Sequence, residues 1–148
     1  MHNYDPKKAA AVWQRVQNQV PPPPEQSDLV NLIFREQEDA VTYLHLSRKF
    51  PGKEGAMLRQ MAQQEQSHAS CLRGICKLLT GKKPAYRTPP APGESTHVLL
   101  HRCYGREMQS LAQYQARAND PQYGHIFARL AAQEQVHCQN LLLLLDKV

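Results

Sequence analysis

Two seven-residue segments constrain this chain more than anything else in it. Residues 62–68 read Ala-Gln-Gln-Glu-Gln-Ser-His, and residues 131–137 read Ala-Ala-Gln-Glu-Gln-Val-His. Five of the seven positions are identical, and both copies contain Glu-x-x-His. The match extends outward. Gly55 and Gly124 fall at the same offset, and Glu36 with Tyr43 corresponds to Glu107 with Tyr114 if the first turn is two residues longer. A repeat of this kind means that each half of the chain supplies an equivalent half-site, so the fold must bring the halves together.

Proline and glycine mark the element boundaries. Pro21 to Pro24 separate a short segment, roughly residues 6–19, from the rest. That segment carries Ala9, Val12, Trp13 and Val16 at helical spacing and reads as a docking helix, so residues 1–24 form a docking helix and linker. The remainder, 25–148, reads as one domain of four long helices. The first starts at Ser27 or Asp28 as N-cap and ends before Pro51-Gly52. The second runs from about Glu54 to Leu79 and stops at Gly81. Residues 82–94 are proline-rich and lack apolar periodicity. The third helix starts at Ser95 or Thr96 and ends near Asn119. Asp120-Pro121, an N-cap followed by proline, starts the fourth. Two short turns and one long link give hairpin, crossover, hairpin. That is the layout of a ferritin-like four-helix bundle, all-α, with a short extra N-terminal helix.

Composition agrees where it bears on the fold. Only 7 glycines and 7% aromatics in 148 residues argue against a β-sandwich or barrel. No apolar run approaches the ~20 residues of a membrane span. The polar start, Met1 to Lys8, has no signal-peptide core, so the expected location is cytoplasmic, without a membrane partner. The 18 basic against 13 acidic residues are unclustered, which argues against nucleic acid as a partner. None of the four cysteines (Cys71, Cys76, Cys103, Cys138) forms a C-x-x-C pair, and all fall in helical patterns. Small buried hydrophobes are the simplest reading, with packing rather than redox chemistry for Cys138.

The apolar seams carry the chemistry. The second helix presents Leu58, Met61, Glu65, His68, Leu72, Ile75 and Leu79 at alternating spacings of three and four. The fourth presents Phe127, Leu130, Glu134, His137, Leu141 and Leu144. The first gives Leu29, Leu32, Glu36, Ala40, Tyr43 and Leu44, and the third Leu100, Cys103, Glu107, Leu111, Tyr114 and Ala118. Each core-facing stripe is interrupted near its middle by Glu, or by Glu and His. A lone ionised carboxylate is not tolerated in a bundle core; it must be paired, neutralised or metal-bound. No Lys or Arg on these stripes offers itself. Two divalent ions balance four carboxylates, and two neutral imidazoles leave the sum at zero. The spacing of i and i+3 puts Glu and His of each motif on one helical face.

Glu, then Glu-x-x-His, crossover, Glu, then Glu-x-x-His resembles the ferritin-like di-iron carboxylate superfamily, and rubrerythrin in particular, over about residues 28–145. The resemblance implies Glu36 and Glu107 as terminal or shifting ligands, Glu65 and Glu134 as bridges, and His68 and His137 as one ligand per metal. It favours iron; oxygen-rich donors also suit manganese, and affinity alone admits zinc. It implies a redox enzyme that reduces hydrogen peroxide or dioxygen, with iron oxidation as the alternative, or a non-catalytic bundle stabilised by metal. A homodimer follows by analogy. Two departures stand out. The chain has no rubredoxin-like cysteine pairs, so a peroxidase would need a separate electron donor. After Glu107 the third helix reads Met108-Gln109-Ser110-Leu111, without the additional Glu common in rubrerythrins.

Around this centre several residues have two readings. Tyr43 and Tyr114 are core aromatics in need of hydroxyl partners, or hydrogen-bond donors to ligand carboxylates. Asp39 either orients a His from another helix or lies on the surface. Glu38 sits about 200° round the helix from Glu36 and should face solvent. His45, His97, His101 and His125 are off the motif and are expected at the surface.

Overall fold

The computed structural model describes Lys7 and residues 24–148. The docking helix expected over residues 6–19 and the linker up to residue 23 lie outside the described residues. The rest is helical: α1 (Pro24–Ser47), α2 (Lys53–Thr80), α3 (Thr96–Ala116) and α4 (Gly124–Leu145), with no strand among the described residues. α1 pairs with α2 and α3 with α4, as two hairpins.

Three boundaries differ from the sequence reading. α1 begins at Pro24, not at a Ser27 or Asp28 cap. Proline is well suited to a first turn, where its missing N–H has no helical acceptor to lose. Asp28 instead meets Arg117, the residue that follows α3, at 3.2 Å. Likewise, Asp120 does not open α4. Its carboxylate accepts from the N–H groups of Gln122 (2.9 Å) and Tyr123 (2.7 Å), closing a separate turn, and α4 starts at Gly124. α3 ends at Ala116, three residues early. The other ends agree. Ser95 caps α3, accepting from the N–H of Val98, and α2 stops at Gly81, whose φ of +77° is left-handed.

The segment after Gly81 runs back along α2. The Arg73 side chain donates to the Pro84 carbonyl at 2.7 Å, Tyr86 meets Ser70, and the Arg87 N–H donates to the Gln37 side chain. The Arg73 guanidinium lies 3.5 Å from the Tyr86 ring centroid and that of Arg87 4.0 Å from Phe34. The link therefore returns along the hairpin before α3 begins. Cross-hairpin contacts give the directions. Asp28 meets Arg117, and Arg35 meets Gln109, so α1 and α3 are antiparallel.

The core is divided. One apolar cluster joins Leu29, Leu32 and Ile33 to Leu72, Ile75, Tyr114, Phe127 and Leu130. The other joins Tyr43 and Leu46 to Leu58, Met61, Leu99, Leu100, Cys103, Leu141 and Leu144. Leu44 and Leu79, expected on the seams, are exposed; Leu46, one turn beyond Thr42, takes the inward place on α1. Cys76, Cys103 and Cys138 are buried as expected, whereas Cys71 is half-buried; all four are free thiols.

Candidate metal centre

Between the two clusters every helix contributes acid. Along α1, Glu36 follows Ile33 and precedes Tyr43; the same order, apolar then Glu then apolar, recurs on α2, α3 and α4. Glu36, Glu65, Glu107 and Glu134 are 0% exposed, His68 1% and His137 0%. All six side chains singled out by the repeat point inward and converge.

Two overlapping groups form. Glu36, Glu65, His68 and Glu134 offer ligand atoms all within 4.8 Å of one another, and so do Glu65, Glu107, Glu134 and His137. Glu65 and Glu134 belong to both. The His68 Nδ1 lies 2.8 Å from Glu134 Oε1 and 3.4 Å from Glu36 Oε2. The His137 Nδ1 lies 2.6 Å from Glu65 Oε1 and 3.7 Å from Glu107 Oε2. Each imidazole thus faces the bridging-position Glu of the other hairpin.

Two tyrosines complete the inner layer. The Tyr43 hydroxyl donates to Glu107 Oε1 and the Tyr114 hydroxyl to Glu36 Oε1, both at 2.5 Å. Each reaches across to the other hairpin. Burial and the carboxylates around them push both phenols well above their ordinary range, so the hydroxyls keep their protons. With Oε1 held, Glu36 Oε2, both oxygens of Glu65, Glu107 Oε2, Glu134 Oε2 and His137 Nδ1 have no hydrogen-bond partner. So many buried acceptors without donors is anomalous for a native core. They fit a cation set: oxygen and imidazole atoms aimed at common points, with only one another in reach.

The electrostatics express the same crowding. Burial, reinforced by the charge on Glu107, raises the Glu65 carboxyl to about 7 against the pull of His137 and His68. Burial opposes charge on His137, but Glu107 and Glu65 outweigh it and raise the ring to about 9. Without a metal, the cluster retains protons at neutral pH.

Other expectations come out differently. Asp39 neither orients a histidine nor lies on the surface. It is buried and accepts from Arg106 Nε of α3 at 2.7 Å. Desolvation and the nearby Glu107 still raise it to about 7, with Arg106 opposing. Glu38 is exposed as expected and meets the same arginine at 3.2 Å. His97, His101 and His125 are exposed, but His45 is half-buried near the end of α1. Two residues escaped the sequence reading. Gln64 Oε1 lies 2.5 Å from His137 Nε2, and Gln133 Oε1 contacts His68 Nε2. Their signal was present, since glutamine precedes the Glu in both copies of the repeat.

A groove of about 820 Å³ lies on the α1–α2 face, walled by Gln37, Gln63, Ser67 and, from the returning link, Tyr86 to Thr88. None of the six converging side chains lines it. No helix among the described residues is long and apolar enough to cross a membrane. No protein-family model, curated protein or solved structure matches the chain.

Proposed function

We propose that this chain is a ferritin-like di-metal carboxylate protein of the rubrerythrin type, holding two iron ions and reducing hydrogen peroxide or dioxygen. Glu36 and His68 would hold one ion and Glu107 and His137 the other, with Glu65 and Glu134 within reach of both. The observation that carries this reading is the set of buried, partnerless acceptor atoms from all four helices, grouped in two overlapping clusters within ligand reach. Four carboxylates and two dications sum to zero, which relieves the cost of burying the acids.

Two ferrous ions bound there would supply the two electrons that, with two protons, the reduction of one hydrogen peroxide to two waters requires. The protein's own contribution is geometric. Tyr43 and Tyr114 fix one oxygen of Glu107 and of Glu36 and leave the other facing the centre. The centre is buried between two apolar clusters, which favours peroxide, dioxygen or ferrous iron as substrate over an organic one. Electrons return from a separate donor. Iron oxidation uses the same ligands and is the alternative activity; a metal-stabilised bundle without turnover is the non-catalytic one.

Elemental analysis of chain purified without added metal tests the centre. Two ions per chain are expected, lost in the Glu65→Ala/Glu134→Ala double variant. Full metal content in that variant refutes the ligand assignment. Iron-dependent consumption of peroxide then separates the peroxidase from a chain that binds two ions and turns over nothing.

A further inference from the structure

We infer that Gln64 and Gln133 are positioning residues of this centre, each orienting the histidine ligand of the opposite hairpin and adding no charge. The inference rests on the two-metal reading above.

An amide oxygen can only accept. With Gln133 Oε1 against His68 Nε2 and Gln64 Oε1 against His137 Nε2, each ring must donate from Nε2. A metal-ligating imidazole is neutral and has one N–H, so in the metal-bound chain Nδ1 is a bare lone pair. That lone pair faces a carboxylate oxygen, Glu134 Oε1 at 2.8 Å for His68 and Glu65 Oε1 at 2.6 Å for His137. Such distances need a positive charge between the two atoms, a proton in the metal-free chain or a metal ion in its place. The glutamines thus present Nδ1 to the metal position and remove the alternative tautomer, which would point a hydrogen there.

The wiring crosses over. Gln64 adjoins Glu65 on α2 but serves His137 on α4; Gln133 adjoins Glu134 on α4 but serves His68 on α2. Each Gln-Glu-x-x-His unit therefore supplies a ligand pair to the centre and an orienting group to its counterpart.

Cobalt(II) titration followed by its visible ligand-field absorption tests this in the full chain. The unsubstituted chain should take up two equivalents. Gln133→Met, near in size but without a strong acceptor, should weaken one equivalent by roughly 10–100-fold and spare the other. Gln64→Met should weaken the other one. Glu at the same position, which restores an acceptor of equal reach, should recover binding. Metal-free unfolding of each variant, compared with the parent, checks that the bundle is intact. Two unweakened equivalents in both Met variants overturn the inference, as does a loss that Glu fails to rescue. If a Met variant does not fold, the Glu variant decides alone: two equivalents retained support the inference, and a lost equivalent overturns it. A parent chain that takes up no cobalt overturns the two-metal reading itself, and that result appears before any glutamine is changed.

Discussion

A buried phenol hydrogen-bonded to a buried carboxylate is costly to disturb on one side only. Tyr43→Phe would leave Glu107 Oε1 without its donor in a site that water does not reach, and Tyr114→Phe would do the same to Glu36. An unsatisfied buried acceptor of this kind costs about 1–3 kcal/mol. Chemical denaturation of the metal-free chain should show a loss of that size in each single variant. The double variant should deviate from additivity, because Tyr43 and Tyr114 act on one connected set of acids. Losses under about 0.5 kcal/mol in both single variants would mean that the hydroxyls do not make these bonds. The pairing was only half legible in the sequence. The spacing of seven between Glu36 and Tyr43, and between Glu107 and Tyr114, put each tyrosine on the seam of its neighbouring acid. It did not show that each tyrosine serves the acid of the other hairpin, because that depends on how two helices 64 or 78 residues apart in the chain face each other.

The repeat also leaves its mark on the elements. Gly55 and Gly124 stand at equivalent places near the start of α2 and α4, and both are buried. A Cβ on Gly55 would run into the Phe50 carbonyl and, at 2.9 Å, that of Ser47; a Cβ on Gly124 would run into the Ala118 carbonyl. These obstacles are backbone, so the turns themselves would have to move. Gly55→Ala and Gly124→Ala should each destabilise by about 1–3 kcal/mol. Gly74 and Gly105 sit within α2 and α3 with open space where a Cβ would go. Alanine there should stabilise by about 0.5–1 kcal/mol. Thermal unfolding of the four variants checks the contrast, and equal effects at all four would refute the close approach. At this scale the sequence was a good guide to what is local. The seams, the Gly81 stop and the Ser95 cap follow from spacing and from residue type. Pro24 and Asp120 misled because each belongs to a pattern with two outcomes: proline either ends a linker or opens a helix, and an Asp-Pro pair either caps a helix or closes a turn before one. The Asp39–Arg106 contact was invisible for another reason. Asp39 lies three residues from Glu36, on the edge of the seam, and only the packed position of α3 puts a guanidinium there.

For the whole molecule, protons and metal ions compete for one set of atoms, and this gives pH two opposite effects. In the metal-free chain, Glu65 keeps its proton up to about 7 when folded, against an ordinary 4.5, and Asp39 up to about 7 against 3.8. His137 stays charged up to about 9, against 6.5. For each group the folded chain binds protons that the unfolded chain has released. Stability is therefore greatest below the unfolded values and falls as pH rises through the folded ones, on the order of 1 kcal/mol per pH unit for each proton held. The metal-free chain should lose stability steadily from about pH 5 to pH 9. Metal reverses the sign. Ions take the place of the protons on Glu65 and His137, so binding releases them and strengthens as pH rises. Each site held at a hundred times its Kd adds about 2.7 kcal/mol. The gap between melting temperatures with and without ferrous iron, measured anaerobically, should be small near pH 5 and widen toward pH 8. A gap that does not change with pH would separate metal binding from these carboxylates and imidazoles. A metal-free chain whose stability rises over the same range would mean that the six side chains do not share the buried, proton-retaining layer between the two apolar clusters.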